Sequence, residues 1–306
     1  MSDVMIEARD LTKHYGPVTA LKNATFDVHR GEVVGFLGPN GAGKTTTMKI
    51  LTCFIAPSDG TARVAGADIF EDPIGVREAI GYLPESTPLY TEMLVLEYLE
   101  FAGKMRGLSG AALAGRLRKV VEETSLGDVV GKSIGELSKG FRQRVGLAQA
   151  LIHEPPVLIL DEPMSGLDPN QASEIRELIR EIGRERTVIL STHNLAEVRV
   201  TSGRVLIISQ GQLVADDTPE DLAARAGKPR VLATLQRNGH SAEEIRQAFG
   251  SIAQAQSVKH SDGPGPNELL IEVVPKGNDD LRADIFQAAV SANLVLLGLE
   301  QHGENL

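Results

Sequence analysis

Tryptophan is absent from this chain, cysteine occurs once, and aromatic residues make up only 4% of it. So few aromatics argue against a platform on which bare nucleotide bases stack. The lone thiol, Cys53, cannot form an intrachain disulfide, which fits a reducing compartment, and its ordinary role is that of a small buried side chain on a helix. Long apolar runs are missing too: none approaches the roughly 18 residues of a membrane span. The start, Met1-Ser2-Asp3, continues in alternating apolar and polar residues and is unlike a secretion signal. Excess positive charge is the last absence. Lys and Arg number 31 against 41 Asp and Glu, giving a net charge of −10, with no basic stripe to displace counterions from nucleic acid. If such a protein works at a membrane, it does so through a partner.

What is present is an ordinary globular composition, 42% hydrophobic and 24% charged over 306 residues. That length suits one large domain and one small one. Residues 4–9 and 24–29 alternate as half-buried strands do, and Glu32 to Leu37 is a short strand ending in glycine. Gly43 to Cys53 reads as a helix and Ile80 to Leu83 as a strand. Across 91–125 a helical insertion is expected, because Met93, Leu96, Leu99, Leu113, Leu117, Val120 and Val121 recur at helical spacing. A helix over 141–153 follows. Val157 to Leu160 and Thr187 to Ser191 are continuous apolar runs, as in a sheet covered on both faces, with a helix over 170–182 between them. Strands at 203–209 and 212–216 close this part.

The style changes near Arg225-Ala226-Gly227-Lys228-Pro229. Beyond it the pattern predicts strand 230–235, helix 241–249, strands 254–259 and 268–274, helix 278–291 and strand 294–299, with a Gly- and Pro-rich loop over 261–267. That order, β-α-β-β-α-β, is the split-βαβ arrangement. No catalytic cluster marks it.

Gly38-Pro39-Asn40-Gly41-Ala42-Gly43-Lys44-Thr45 satisfies G-x-x-x-x-G-K-[ST], after a predicted strand and at the start of a helix. Glycines let successive N–H groups turn inward around a β-phosphate, and the new helix aims its unpaired N–H groups at the same anion. Lys44 supplies a cation for the β- and γ-phosphates, and the Thr45 hydroxyl can ligate Mg²⁺. The candidate nucleotide-binding stretch therefore runs from Gly38 to Thr45, together with Thr46. By itself it says only that a nucleoside triphosphate binds.

The apolar strand 157–160 ends in Asp161-Glu162. Ligands of parallel sheets sit beyond the C-terminal strand ends. Asp161 is thereby placed to hold Mg²⁺, directly or through water, and Glu162 to polarise an attacking water. His193 follows the second buried strand on the same edge, a position from which it can meet a γ-phosphate.

These residues, taken with others, resemble the ATP-binding-cassette (ABC) family. Leu137-Ser138-Lys139-Gly140-Phe141-Arg142-Gln143-Arg144 is similar to its signature motif, Ser165-Gly166-Leu167-Asp168 to its D-loop, His193 to its switch histidine, and Tyr15 to the aromatic that stacks on adenine. The resemblance covers roughly residues 4–220. It implies an α/β fold of the P-loop NTPase, ABC ATPase kind: an N-terminal antiparallel β subdomain, an inserted helical subdomain at about 86–155, and a domain ending near 226. A small α+β, split-βαβ-like accessory domain would occupy 227–306. It also implies two cassettes paired head to tail, most simply as a homodimer, each ATP lying between the Lys44 loop of one and the Ser138/Gly140 helix start of the other. Asp168 and Tyr15 join the nucleotide-binding set on the same ground.

Two positions depart from the family's usual pattern. Glu85, in Gly81-Tyr82-Leu83-Pro84-Glu85, stands where Gln is usual, and the signature reads Ser-Lys-Gly-Phe where Ser-Gly-Gly-Gln is typical. A carboxylate still offers Mg²⁺ an oxygen, so Glu85 joins Thr45 and Asp161 as a candidate metal ligand, and Glu162, His193 and Lys44 as a candidate catalytic residue. Both departures are similar to the ABC-2 branch of gliding-motility-type and multidrug-export-type ATPase subunits. That branch implies export through a separate multi-span permease, with this chain held peripherally at the cytoplasmic face of the membrane and no nucleic-acid partner. Two other readings compete. A soluble ABC ATPase of ribosomes or DNA would carry two cassettes or a long coiled coil, and neither occurs here. A nucleotide sensor without hydrolysis would have little use for Glu162.

Overall fold

A computed structural model describes residues 4–225, 230–236, 238, 241–250, 252–263, 265, 267–277 and 280–302. The chain forms two compact units, Met1–Pro219 and Glu220–Leu306. The boundary expected at 226/227 lies outside the described residues.

The first unit opens on an antiparallel hairpin, β1 (Val4–Tyr15) and β2 (Val18–His29), turned at Gly16. Sequence alternation marks only the outer half of each strand; register shifts interrupt the two-residue period once there, at Val4/Ile6, and three times further in, at Ala8/Leu11, Leu11/Lys13 and Lys13/His14. Two strands escape the sequence pattern altogether. β4 (Asp59–Val64) pairs with the free edge of β1, and the two-residue β5 (Ala67–Asp68) completes a sheet of order β2-β1-β4-β5. Its inner residues, among them Ile6, Leu11, Leu21 and Phe26, share one core with Phe36, Met48 and Ile159.

The larger sheet has the order β10-β9-β3-β8-β7-β6. Five strands are parallel: β3 (Val33–Leu37), β6 (Ile80–Leu83), β7 (Val157–Asp161), β8 (Thr187–Thr192) and β9 (Arg204–Ser209). β10 (Gln212–Asp217) runs antiparallel to β9. Every residue of β7 and β8 is buried, which is why both read as unbroken apolar runs. Four helices connect strands here: α1 (Lys44–Leu51), α2 (Pro73–Ala79), α6 (Pro169–Gly183) and α7 (Leu195–Thr201). α2 and α7, seven residues each, are too short to leave a periodic signal.

The inserted region contains α3 (Val95–Met105), α4 (Gly110–Glu123) and α5 (Lys139–Leu151). Its periodicity needs correcting at one point. The buried stripe of α3 is Val95, Tyr98, Leu99 and Ala102, whereas Leu96 is exposed and Met93 precedes the helix. Arg116, buried on α4, closes the end of α5 by donating to the carbonyls of Leu151 (2.8 Å) and Ile152 (3.0 Å) and to Glu154 (2.8 Å).

The second unit begins within α8 (Pro219–Arg225) and continues β11 (Arg230–Gln236), α9 (Ala242–Gly250), β12 (Ala255–Asp262), β13 (Glu268–Pro275), α10 (Arg282–Ser291) and β14 (Val295–His302). The order β12-β13-β11-β14, antiparallel throughout, is a split-βαβ sheet. Strict alternation along β13 buries Leu269, Ile271 and Val273 against Ile245, Phe249 and Ile285. α10 starts at Arg282, later than its sequence pattern suggests, and residues 278–279 lie outside the described set.

Candidate functional site

The turn from β3 into α1 is a glycine-rich loop. Gly41 (φ 79°) and Gly43 (φ 112°) adopt left-handed backbone that ordinary residues avoid. At Gly43 space forbids a side chain as well, since a Cβ would lie 2.6 Å from the Ala20 carbonyl. Gly38 N–H donates to Thr192 (3.2 Å) and Ala42 N–H to Pro39 (3.1 Å), tying the loop down. The amides of Asn40, Gly41 and Gly43 find no acceptor among the described residues, and they stand at the positive end of α1.

Lys44, the first residue of α1, folds its buried ammonium back across this loop. It donates to the carbonyls of Gly38 (2.7 Å) and Pro39 (3.3 Å) and lies 3.2 Å from Glu162 Oε1. Thr45 and Thr46 follow, both half-buried, and neither hydroxyl has a hydrogen-bond partner among the described residues. The parallel register of β3, β8 and β7 brings the acids and the histidine to the same edge.

Asp161 closes β7, with 1% of its surface exposed. Its Oδ1 accepts a short bond (2.5 Å) from the Ser191 hydroxyl, while Oδ2 is buried with no partner. Burial, and behind it the charge of Asp161, pushes the Tyr82 phenol well above its ordinary value, so Tyr82 stays protonated beside the carboxylate. Glu162 turns the chain sharply at φ 49°, a left-handed value uncommon for a side-chain-bearing residue. Its N–H donates to both the hydroxyl (3.0 Å) and the carbonyl (3.2 Å) of Ser191. Its Oε2 meets Nδ1 of His193 at 3.0 Å, and the imidazole is half exposed.

Lys44, Asp161, Glu162 and His193 are therefore one cluster, and Gly38 to Thr46 form its floor. Three other candidates lie apart from it. Ser138 is the N-cap of α5, its hydroxyl accepting from Phe141 N–H at 3.3 Å. Gly140 abuts Gln171, and Asp168 caps α6 by accepting from the amides of Asn170 (3.0 Å) and Gln171 (2.9 Å). Ser138 and Gly140 border a cleft of about 410 Å³ with Phe141, Arg144 and Gln171. None of these contacts is to the Lys44 loop. Tyr15 ends β1 with a half-exposed ring, over which the Lys13 ammonium sits at 5.5 Å. Glu85 is exposed in the loop after β6, and its carboxylate has no partner among the described residues.

The donor set fits a magnesium nucleotide. Unpaired amides at a helix start suit phosphate oxygens. A buried carboxylate oxygen without a donor is costly to keep, and a hard cation is what such an oxygen satisfies.

The family model described as ABC transporter matches residues 21–165. Over 303 residues the chain is 31% identical to the linearmycin resistance ATP-binding protein LnrL of Bacillus subtilis (strain 168), covering 99% of this chain and 96% of that one. The chain belongs to the ABC transporter ATP-binding family. A second relative from the same organism, the uncharacterized ABC transporter ATP-binding protein YxlF, is 39% identical over 209 residues, 68% of this chain and 69% of that one. A solved structure of an ATP-binding subunit of an ABC transporter superposes with a TM-score of 0.65 at 33% identity, over 72% of this chain and 92% of the other. The first unit, with its antiparallel N-terminal sheet, thus has the fold of the ABC ATPases, the chain carries a small β domain after it, and its function is that of an ATP-hydrolysing ABC transporter subunit. No helix among the described residues is long and apolar enough to cross a membrane.

Within this ABC cassette the sequence pattern passed over Ser191. One signal pointed to it: a hydroxyl ending an otherwise apolar strand, beside the strand that ends in acids.

Proposed function

We propose that this chain powers export of the ABC-2 type, hydrolysing MgATP while paired with a second copy and attached to a separate multi-span permease. The observation that carries the reading is the buried Lys44–Glu162 pair, with His193 against it from the surface, at the strand edge. A γ-phosphate lying against the loop would then meet a cation, a base and an imidazole. Likeness along nearly the whole chain to a linearmycin resistance ATP-binding protein favours export and gives no support to a ribosomal or DNA role.

Residues 1–226 would be the ABC domain, with its helical subdomain at about 86–155, and 227–306 the accessory domain. ATP would rest its phosphates on Gly38 to Thr46 and its adenine on Tyr15. Thr45 and Asp161 would hold Mg²⁺, with Glu85 reaching it from its loop. When bound, the ion would neutralise charge on the β- and γ-phosphates. As the γ-phosphate arrives, Lys44 exchanges the Glu162 carboxylate for phosphate oxygens. Glu162 is then free to accept a proton from water, whose oxygen attacks the γ-phosphorus as the bond to the β–γ bridging oxygen breaks, leaving ADP and phosphate. His193 holds Glu162 on one side and contacts the γ-phosphate on the other. The partner copy's signature helix, starting at Ser138 and Gly140, closes the site, with Asp168 holding the neighbouring turn.

A groove of about 730 Å³ lined by Phe54, Ile74, Arg77, Met105 and Arg106 suits the permease. Phe54 and Met105 are 73% and 71% exposed there, an apolar surface that calls for a cover. The chain would then sit peripherally at the cytoplasmic face of the membrane.

Phosphate release tests the reading. Glu162→Gln keeps the shape and removes the base, so turnover should fall ~10²–10⁴-fold while ATP still binds. Turnover within twofold of the parent would refute the assignment of Glu162.

A further inference from the structure

We infer that Ser191 is a positioning residue whose hydroxyl sets the Asp161 carboxylate and, together with its own carbonyl, holds the turn at Glu162. The inference rests on the reading of Asp161 as the magnesium carboxylate. Ser191 is fully buried and lies opposite Asp161 in the parallel register of β7 and β8. Its hydroxyl has one proton to give and lone pairs to offer. The Glu162 amide can only donate, so it takes a lone pair (3.0 Å), and the Asp161 carboxylate can only accept, so it takes the proton (2.5 Å). The chemistry of the two neighbours leaves the hydroxyl a single orientation.

That orientation has two consequences. Occupying Oδ1 fixes the rotation of the Asp161 carboxylate, and the oxygen left over, Oδ2, is the buried one with no partner. Ser191 thereby decides which oxygen is presented to a cation. The same hydroxyl shares the next amide with the Ser191 carbonyl, at the left-handed turn that carries the base toward Lys44 and His193.

A merely structural serine would be there to satisfy backbone. Here the Glu162 amide already has the Ser191 carbonyl at 3.2 Å, so the fold does not need the hydroxyl for that bond. Only the Asp161 carboxylate depends on the hydroxyl alone. Partners that orient a metal-ligating carboxylate typically change metal affinity ~10–100-fold when removed.

The test uses the full chain and reads metal binding, with catalysis set aside. Mn²⁺ affinity of the nucleotide complex is measured by electron paramagnetic resonance, and the affinity of a fluorescent ATP analogue is measured in EDTA and in Mg²⁺. Ser191→Ala should weaken Mn²⁺ binding ~10–100-fold, lose most of the Mg²⁺-dependent tightening of nucleotide, and leave the affinity in EDTA unchanged. Ser191→Thr, which retains a hydroxyl, should recover most of the loss. A folded Ser191→Ala protein with parental Mn²⁺ affinity, beside an Asp161→Asn protein that has lost it, would overturn the role of Ser191 while leaving Asp161 standing. Parental affinity in Asp161→Asn as well would overturn the underlying reading of the metal site. If Ser191→Ala does not fold, the equal-sized pair Ser191→Thr and Ser191→Val carries the test, and equal Mn²⁺ affinities in that pair would overturn the proposal.

Discussion

Lys44 is the residue on which nucleotide binding turns. Its ammonium is buried, yet its partners are two loop carbonyls and the carboxylate of Glu162. A cation removed from water keeps its charge only where opposite charge is close, so Lys44 and Glu162 each make the other's burial tolerable. A triphosphate offers Lys44 a stronger counter-charge than one carboxylate does. Replacing Lys44 with Ala should therefore raise the dissociation constant for ATP by about 10–100-fold, the worth of one or two charge-assisted bonds. Isothermal titration checks this, and an unchanged constant would contradict the role given to Lys44. At this scale the sequence was informative where chemistry is local. The loop glycines and Lys44 stand next to one another in the chain, so the cradle could be read directly. Ser191 could not be, because its hydrogen bond to Asp161 spans 30 residues and depends on two strands lying side by side.

Among the elements, the helices that start at Ser138 and Asp168 show how one side chain serves two ends. Asp168 caps α6 through two amide bonds, and Pro169 follows at the first helical position. Removing that cap by Asp168→Ala should cost about 0.5–2 kcal/mol in stability, read as a lower chemical-denaturation midpoint. Asp168→Asn, an equally good cap, should cost little. Equal losses in the two would mean that the charge matters here and the cap does not. Long periodic helices and fully buried strands were legible, since their spacing reports the face they bury. Short elements were not. β5 spans two residues and α2 and α7 seven each, below any periodic signal, and the inner halves of β1 and β2 were hidden by bulges. Leu96 shows the same limit: of three apolar residues at helical spacing, Leu99 is buried, Leu96 is exposed and Met93 precedes the helix.

At the scale of the molecule, no hydrogen bond or ion pair among the described residues joins the Lys44 cluster to the Ser138 helix start, and each is incomplete as a binding site. The first holds a base, a cation and an unpaired carboxylate oxygen, and the second is a helix N-terminus beside an open cleft. In the sequence their combination is legible only through the family resemblance, because the two halves are joined by no local spacing. The account requires that ATP bridge them between two copies. Sedimentation of full-length Glu162→Gln, which binds ATP but does not consume it, measures this most directly. With saturating MgATP the account predicts twice the monomer mass, reverting to monomer when nucleotide is withdrawn. Monomer mass at saturating MgATP, over the whole accessible concentration range, would contradict it.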